Sequence, residues 1–414
     1  MAGALPRSPL APERLPDLAP IAGVRLAAAA CGLKKTGAPD VLFVALDPGT
    51  TAAGVFTRSR CPSAPVDWCR KALPAGSGRA VVVNAGNANA FTGKAGVVTV
   101  EATVAAAAKE VGCRPEEVFV ASTGVIGQPL PADRVARHLH DLAGAFGTDW
   151  AAAAEAIRTT DTFAKAATRT ATIGGTPVAI TGIAKGSGMI APDMATMLSF
   201  VFTDAAIPAP LLQRALNAAV DQSFNAITVD GDTSTSDTLM LFATAKAGNP
   251  VPSEGGPADA AGLADFQRAL NDLTADLARQ VVCDGEGAQK LITIAVSGAI
   301  SDRSARRIGL AIANSPLVKT AVAGEDANWG RIVMAVGKSG EPADRDRLGI
   351  AIGGVQVAQG GMVVDGYDEA PVAAHMKTGS IDIAVDIGIG RGRATVWTCD
   401  LTHGYISINA DYRS

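Results

Sequence analysis

The chain has 414 residues, 48% of them hydrophobic but only 4% aromatic, and a formal net charge of −4. A mildly acidic balance argues against nucleic acid or an anionic membrane as partner, and the scarcity of rings argues against a base-stacking surface. What remains is apolar material for a sizeable core and a chemistry directed at small molecules.

The six cysteines (Cys31, Cys61, Cys69, Cys113, Cys283, Cys399) form no C-x-x-C pair. Their scatter suits neither a zinc site nor a disulfide framework, so they are expected as buried free thiols in a reducing cytoplasm. Prolines, Arg7 and Arg14 interrupt the first 20 residues, and no run of about 20 apolar residues occurs anywhere, so neither a leader nor a membrane span is expected.

After the proline-rich lead-in, IAGVRLAAAACG, VLFVALD and TTAAGVFT predict short strands across 21–57, parted by turns such as Asp47-Pro48-Gly49. AVVVNAGNANAFTG (80–93) reads as a buried strand entering an Asn/Gly turn, and VEATVAAAAKEVG as a helix. VFVASTGVIG (118–127) is a strand ending in Ser-Thr-Gly. PADRVARHLHDLAGAF starts a helix at Pro131 and Asp133, and DWAAAAEAIR makes another. TATIGGTPVAITGIAKG predicts a hairpin about Gly174-Gly175.

Downstream, LLQRALNAAVDQSFNA is an amphipathic helix, and ITVDGDTSTSDTLMLFATAKA a turn and a strand. Residues 247–262 read as a surface loop, DFQRALNDLTADLARQVVCD as a helix, KLITIAVSGAI as a strand and 303–319 as helical. The last 80 residues predict mostly strands: LGIAIGGVQVAQ, IDIAVDIGIG, RATVWTCDL and YISINADY. Mixed elements with consecutive strands predict an α+β fold in which helices pack on sheets.

The chain is organised around residues 185–204. Gly186, Gly188 and Pro192 break regular structure, and Thr196–Phe202 then reads as a buried strand. A hydroxyl at the Ala195–Thr196 junction becomes a nucleophile if its own peptide bond is cut, because the freed α-amine then serves as base. On spacing alone, a Thr that merely starts a strand is the commoner case.

Other motifs fail. Gly388-Ile-Gly-Arg-Gly-Arg runs from one strand into another, predicting a hairpin turn and not a dinucleotide loop. Gly337-Lys338-Ser339 lacks the first glycine of a P-loop, and the glycine of Asp230-Gly-Asp-Thr-Ser-Thr-Ser-Asp is misplaced for an EF-hand. There is no G-x-S-x-G elbow, and His138, His140, His375 and His403 are too sparse for a triad or a metal centre.

The stretch KGSGMIAPDMATMLSF resembles the self-cleavage segment of the ornithine acetyltransferase (glutamate N-acetyltransferase) family. VVVNAGNANAFTG, ASTGVIG, TTDTFAK, VDGDTSTSDT, CDGEGAQK, SPLVKTAVAGEDANWGRI and SINADYRS resemble further blocks of that family, in family order. The resemblance implies an αββα sandwich akin to N-terminal-nucleophile hydrolases with different connectivity. It also implies autoproteolysis at Ala195–Thr196 into chains of residues 1–195 and 196–414, assembled as a heterotetramer.

Thr196 matches the family's nucleophile, and Thr123 and Gly124 its oxyanion hole. Thr159, Lys185, Glu286, Asn409 and Ser414 match substrate-contacting positions, with Thr160 an alternative to Thr159. The implied reaction moves acetyl from N2-acetyl-L-ornithine to L-glutamate through acetyl-Thr196, in arginine biosynthesis. No cofactor or metal is implied, and acetyl-CoA stays open as a second donor. The rival readings are an N-terminal-nucleophile aminopeptidase or amidase that uses water as acceptor, and an uncleaved scaffold.

Overall fold

A computed structural model describes residues 6–191, 197–253 and 257–410. Its strands are, in chain order, β1 (Val24–Ala29), β2 (Val41–Leu46), β3 (Thr51–Phe56), β4 (Ala80–Asn87), β5 (Val118–Val125), β6 (Lys165–Ile173), β7 (Thr176–Lys185) and β8 (Leu198–Thr203). They continue with β9 (Thr238–Ala243), β10 (Leu291–Ala299), β11 (Gly349–Ile352), β12 (Val355–Gln359), β13 (Met362–Val363), β14 (Ser380–Asp386) and β15 (Gly392–Cys399). Three sheets result, ordered β1-β2-β4-β5, β3-β9-β8-β7-β6 and β13-β12-β11-β14-β10-β15.

Every residue of β2, β8 and β9 is buried. An unbroken apolar run is what a strand covered on both faces requires, and it sets the layering. Phe200 and Phe202 of β8 and Phe242 of β9 share one core with β2, β4 and β5, so the first two sheets face each other. Phe119 and Phe242 meet edge-on across that interface, with ring centroids 5.7 Å apart. Val201, Leu239 and Leu241 point the other way, onto the helices Ala209–Asp221 and Pro257–Cys283.

The helix Gly93–Val111 packs on β4 and β5 through Val100, Val104 and Ala107, residues at helical spacing. The order helix–sheet–sheet–helix is thus the expected αββα, α+β arrangement. The third sheet has its own core, backed by the helices Asp302–Ala313, Pro316–Ala323 and Gly330–Gly337. A bridge between Ile227 and Trp397 joins it to the rest. No helix among the described residues is long and apolar enough to cross a membrane.

Four local expectations differ from the structure. YISINADY was expected as a strand, but His403–Ala410 is a helix. Its β-branched content is outweighed by tertiary contacts: helical spacing puts Tyr405 and Asn409 on one face, where they reach Asp230 and Glu286. The Gly388 turn is no hairpin, because β10 lies between β14 and β15, parallel to the first and antiparallel to the second. The expected loop 247–262 gives way at Pro257 to the helix that runs to Cys283. Finally, Cys61 is exposed; Cys31, Cys69 and Cys399 are buried, and all six thiols are free.

Candidate active site

A cavity of about 290 Å³ opens at the ends of β5 and β7. Thr123 and Gly124 come to it from β5, Lys185 from the last position of β7, and Thr159 and Thr160 from the turn ahead of β6. Glu286 and Asn409 complete the set from the turn before β10 and the last helix. Thr123, Gly124, Thr159, Lys185, Glu286 and Asn409, with Thr160 as the alternative to Thr159, therefore converge, although they span positions 123 to 409 of the chain. Ala195, Thr196 and Ser414 lie outside the described residues.

Gly124 has φ +129°, and a Cβ there would fall 2.3 Å from the carbonyl carbon of Gly86 on β4. Only glycine lets β5 approach β4 this closely as both strands leave the sheet. Beside it, Thr123 is 8% exposed. Its Oγ1 accepts from Lys185 Nζ at 3.3 Å. A hydroxyl that accepts from an ammonium keeps its own proton for another acceptor, and is polarised to donate it. That is the state an oxyanion donor needs.

Lys185 is buried, and burial lowers its pKa; Asp161, with Oδ2 3.9 Å from Nζ, opposes that shift. A carboxylate entering the cavity would likewise favour the charged form.

The cavity lining also carries carboxylates. Glu286 is buried, and burial raises its pKa against hydrogen bonds from Asn409 and Thr160. Asn409 Nδ2 donates to Glu286 Oε2 at 2.7 Å. Gly188 lies against the same carboxyl: a Cβ there would sit 2.4 Å from Oε2. Both Thr159 and Thr160 line the cavity, Thr160 already bonded to Glu286, so the structure does not choose between them as substrate contact.

Several contributors were missed in the sequence. Asp230 belongs to the calcium-like decoy, yet its Oδ2 accepts from Met189 N at 2.6 Å and its Oδ1 from Ile190 N at 2.9 Å. These bonds hold Met189 at φ +59°, a strained backbone two residues ahead of Ala191. Tyr405 donates to Asp230 Oδ2 at 3.3 Å.

Behind the cavity, Lys165 Nζ donates to Asp161 Oδ1 at 2.7 Å and to Asp284 Oδ2 at 2.6 Å. All three side chains are fully buried. Their only sequence signal was membership of the blocks TTDTFAK and CDGEGAQK. Among the described residues no cluster of His, Cys, Asp and Glu is arranged to hold a metal ion.

The model of the ArgJ family matches residues 25–414. An "Arginine biosynthesis bifunctional protein ArgJ" from Gluconobacter oxydans is 61% identical over 416 residues, covering 100% of this chain and 97% of that protein. Among solved structures, an arginine biosynthesis bifunctional protein argJ from Bacillus halodurans is 42% identical, covers 52% of this chain and 99% of its own, and has TM-score 0.49. An ornithine acetyltransferase from Mycobacterium tuberculosis, complexed with ornithine, is 36% identical, covers 43% of this chain and 94% of its own, and has TM-score 0.36. On the family match and on identity along its whole length, this chain belongs to the ArgJ family.

Proposed function

We propose that the chain is an acetyltransferase of arginine biosynthesis that cuts itself between Ala195 and Thr196 and then works from the new N-terminal Thr196. The α-amine of Thr196 takes the proton from its own hydroxyl, and the oxygen attacks the acetyl carbonyl of N2-acetyl-L-ornithine. The Thr123 hydroxyl and the Gly124 N–H receive the negative charge that develops on the carbonyl oxygen. Collapse breaks the C–N bond, the proton returns to the departing amine, and ornithine leaves an acetyl ester on Thr196. The α-amine of L-glutamate then attacks that ester, giving N-acetylglutamate and free Thr196.

Lys185 takes the carboxylate of either amino acid. Glu286, held by Asn409 and Thr160, faces an ammonium: that of the substrate or that of Thr196. Ser414 and Thr159 add polar contacts. The scheme needs no cofactor, since acetyl passes from amide to ester to amide; acetyl-CoA is a further donor to be tested. We assign residues 1–195 and 196–414 to the two chains of a heterotetramer working in the cytoplasm.

The observation that carries this reading is the convergence of Thr123, Gly124, Lys185, Glu286 and Asn409 on one cavity, whose lining holds both a lysine and carboxylates. The test is incubation with N2-acetylornithine, first alone and then with glutamate. The first should leave one acetyl group on the fragment that begins at Thr196, and the second should yield N-acetylglutamate with ping-pong kinetics. Free acetate as the main product in the presence of glutamate would make it an amidase.

A further inference from the structure

Lys165, Asp161 and Asp284 do not themselves line the cavity, yet they tie together three of the segments that furnish it. Asp161 Oδ1 accepts from Lys165 Nζ and, at 2.6 Å, from the N–H of Gly186, the residue after Lys185. Asp161 Oδ2 accepts from Thr159 N at 2.9 Å and faces Lys185 Nζ at 3.9 Å. Asp284, two residues before Glu286, accepts from Lys165 and from both the N–H and the hydroxyl of Thr162. Two buried lysines and two buried aspartates thus form a neutral set.

We propose that Asp161 is a positioning residue for acetyl transfer: anchored by Lys165, it holds the Lys185 ammonium in its charged form and aims it into the cavity. The inference rests on the function proposed above, in which Lys185 receives a carboxylate. A buried ammonium with no counter-charge tends to lose its proton, and a neutral amine binds a carboxylate weakly. The charged groups around Lys185 are Asp161, Lys165, Glu286 and Asp237. Asp161 and the other carboxylates favour its charged form, whereas Lys165 disfavours it.

Lys165 therefore plays two parts. It fixes the Asp161 carboxylate in place, and its own charge limits how strongly that carboxylate acts on Lys185. Burial would raise the pKa of Asp161, but Lys165 and Lys185 outweigh it and keep the carboxyl ionised well below the ordinary range. Burial raises Asp284, so Asp284 is the member that takes a proton if the central charge is removed.

This arrangement predicts opposite responses from two substitutions. Asp161→Asn removes the counter-charge, so Lys185 should lose its proton at lower pH, by about one unit or more. Lys165→Gln removes a like charge while Asp284 takes up a proton, so Lys185 should hold its proton to higher pH. The experiment follows modification of Lys185 by acetic anhydride against pH, read by peptide mass spectrometry, which needs no enzymatic activity. Alongside it, KM and kcat are measured for N2-acetylornithine.

The expected result is a downward midpoint for Asp161→Asn with KM raised roughly tenfold or more and kcat little changed, and an upward midpoint for Lys165→Gln. Midpoints that move the same way, or that stay in place, overturn the inference and leave the cluster a packing device. Should Asp161→Asn not fold, the direction of the Lys165→Gln shift decides alone. If the wild type modifies as expected but transfers no acetyl, the proposed function is wrong and the charge relation stands.

Discussion

Lys185 Nζ stands 3.3 Å from Thr123 Oγ1, a contact joining the end of β7 in one sheet to the end of β5 in the sheet that faces it. The proposed substrate-anchoring charge and the proposed oxyanion donor are therefore set by the same packing of two sheets. Thr123→Ala should lower kcat by about 100- to 1,000-fold with KM little changed, since it deletes a donor used in the transition state. Thr123→Ser should restore most of the rate. A large rise in KM at normal kcat would move Thr123 from catalysis to substrate binding.

Thr196→Ala removes the proposed nucleophile for both cleavage and transfer. On a denaturing gel the wild type should give two bands and the variant one, and the variant should transfer no acetyl. N-terminal sequencing of the second wild-type fragment should read Thr-Met-Leu-Ser. Any other start would displace the cleavage site.

The pH dependence should bear the mark of Glu286. Burial raises its pKa above that of an ordinary glutamate. It carries a negative charge only above that raised value, so kcat/KM should climb with pH through it and be lost as pH falls below it. The acidic limb should lie above the usual glutamate range and disappear in Glu286→Gln. The same variant should raise KM for N2-acetylornithine roughly tenfold or more at neutral pH. An acidic limb that survives in Glu286→Gln belongs to another group.

Two glycines at the cavity should fail in different ways. At Gly124 an added Cβ overlaps backbone atoms of Gly86 and Asn87 at 2.3–2.7 Å, and its φ of +129° is strained for any L side chain. Gly124→Ala should lower Tm sharply, because neither strand can move aside. At Gly188 the added Cβ meets the Glu286 carboxyl at 2.4–2.7 Å, the far end of a flexible side chain. Gly188→Ala should keep its fold and lose affinity, as Glu286 is pushed off Asn409. Equal melting temperatures for the two variants would contradict this contrast.

The layered core was legible because its strands are chemically extreme. VLFVAL and AVVVNAGN can hide only in the middle of a sheet, and the turn at Gly174-Gly175 announces the pairing of β6 with β7. Thr123 and Gly124 were legible through the block ASTGVIG. The Asp161–Lys165–Asp284 set was not, because charged residues 119 positions apart give no local sign that they will be buried together. Asp230 was hidden by looking like part of an ion loop when its carboxylate accepts from three backbone N–H groups, those of Met189, Ile190 and Asp232. His403–Ala410 misled for a related reason: its side chains favour a strand, while its partners lie on one side of a helix.

The strand order β3-β9-β8-β7-β6 bears on how the protein is made. β8 and β9 come from the portion after residue 196, and the strands flanking them on both sides, β7 and β3, come from the portion before it. Produced alone, the later portion would carry a two-stranded ribbon with both borders open and apolar, which invites aggregation. The earlier portion would hold β3 with no partner and β7 with one side bare. Expressing residues 1–195 and 196–414 from separate genes should therefore give insoluble material, even when the two are mixed afterwards. A single continuous precursor, cut as proposed only after its sheet has closed, would avoid that fate.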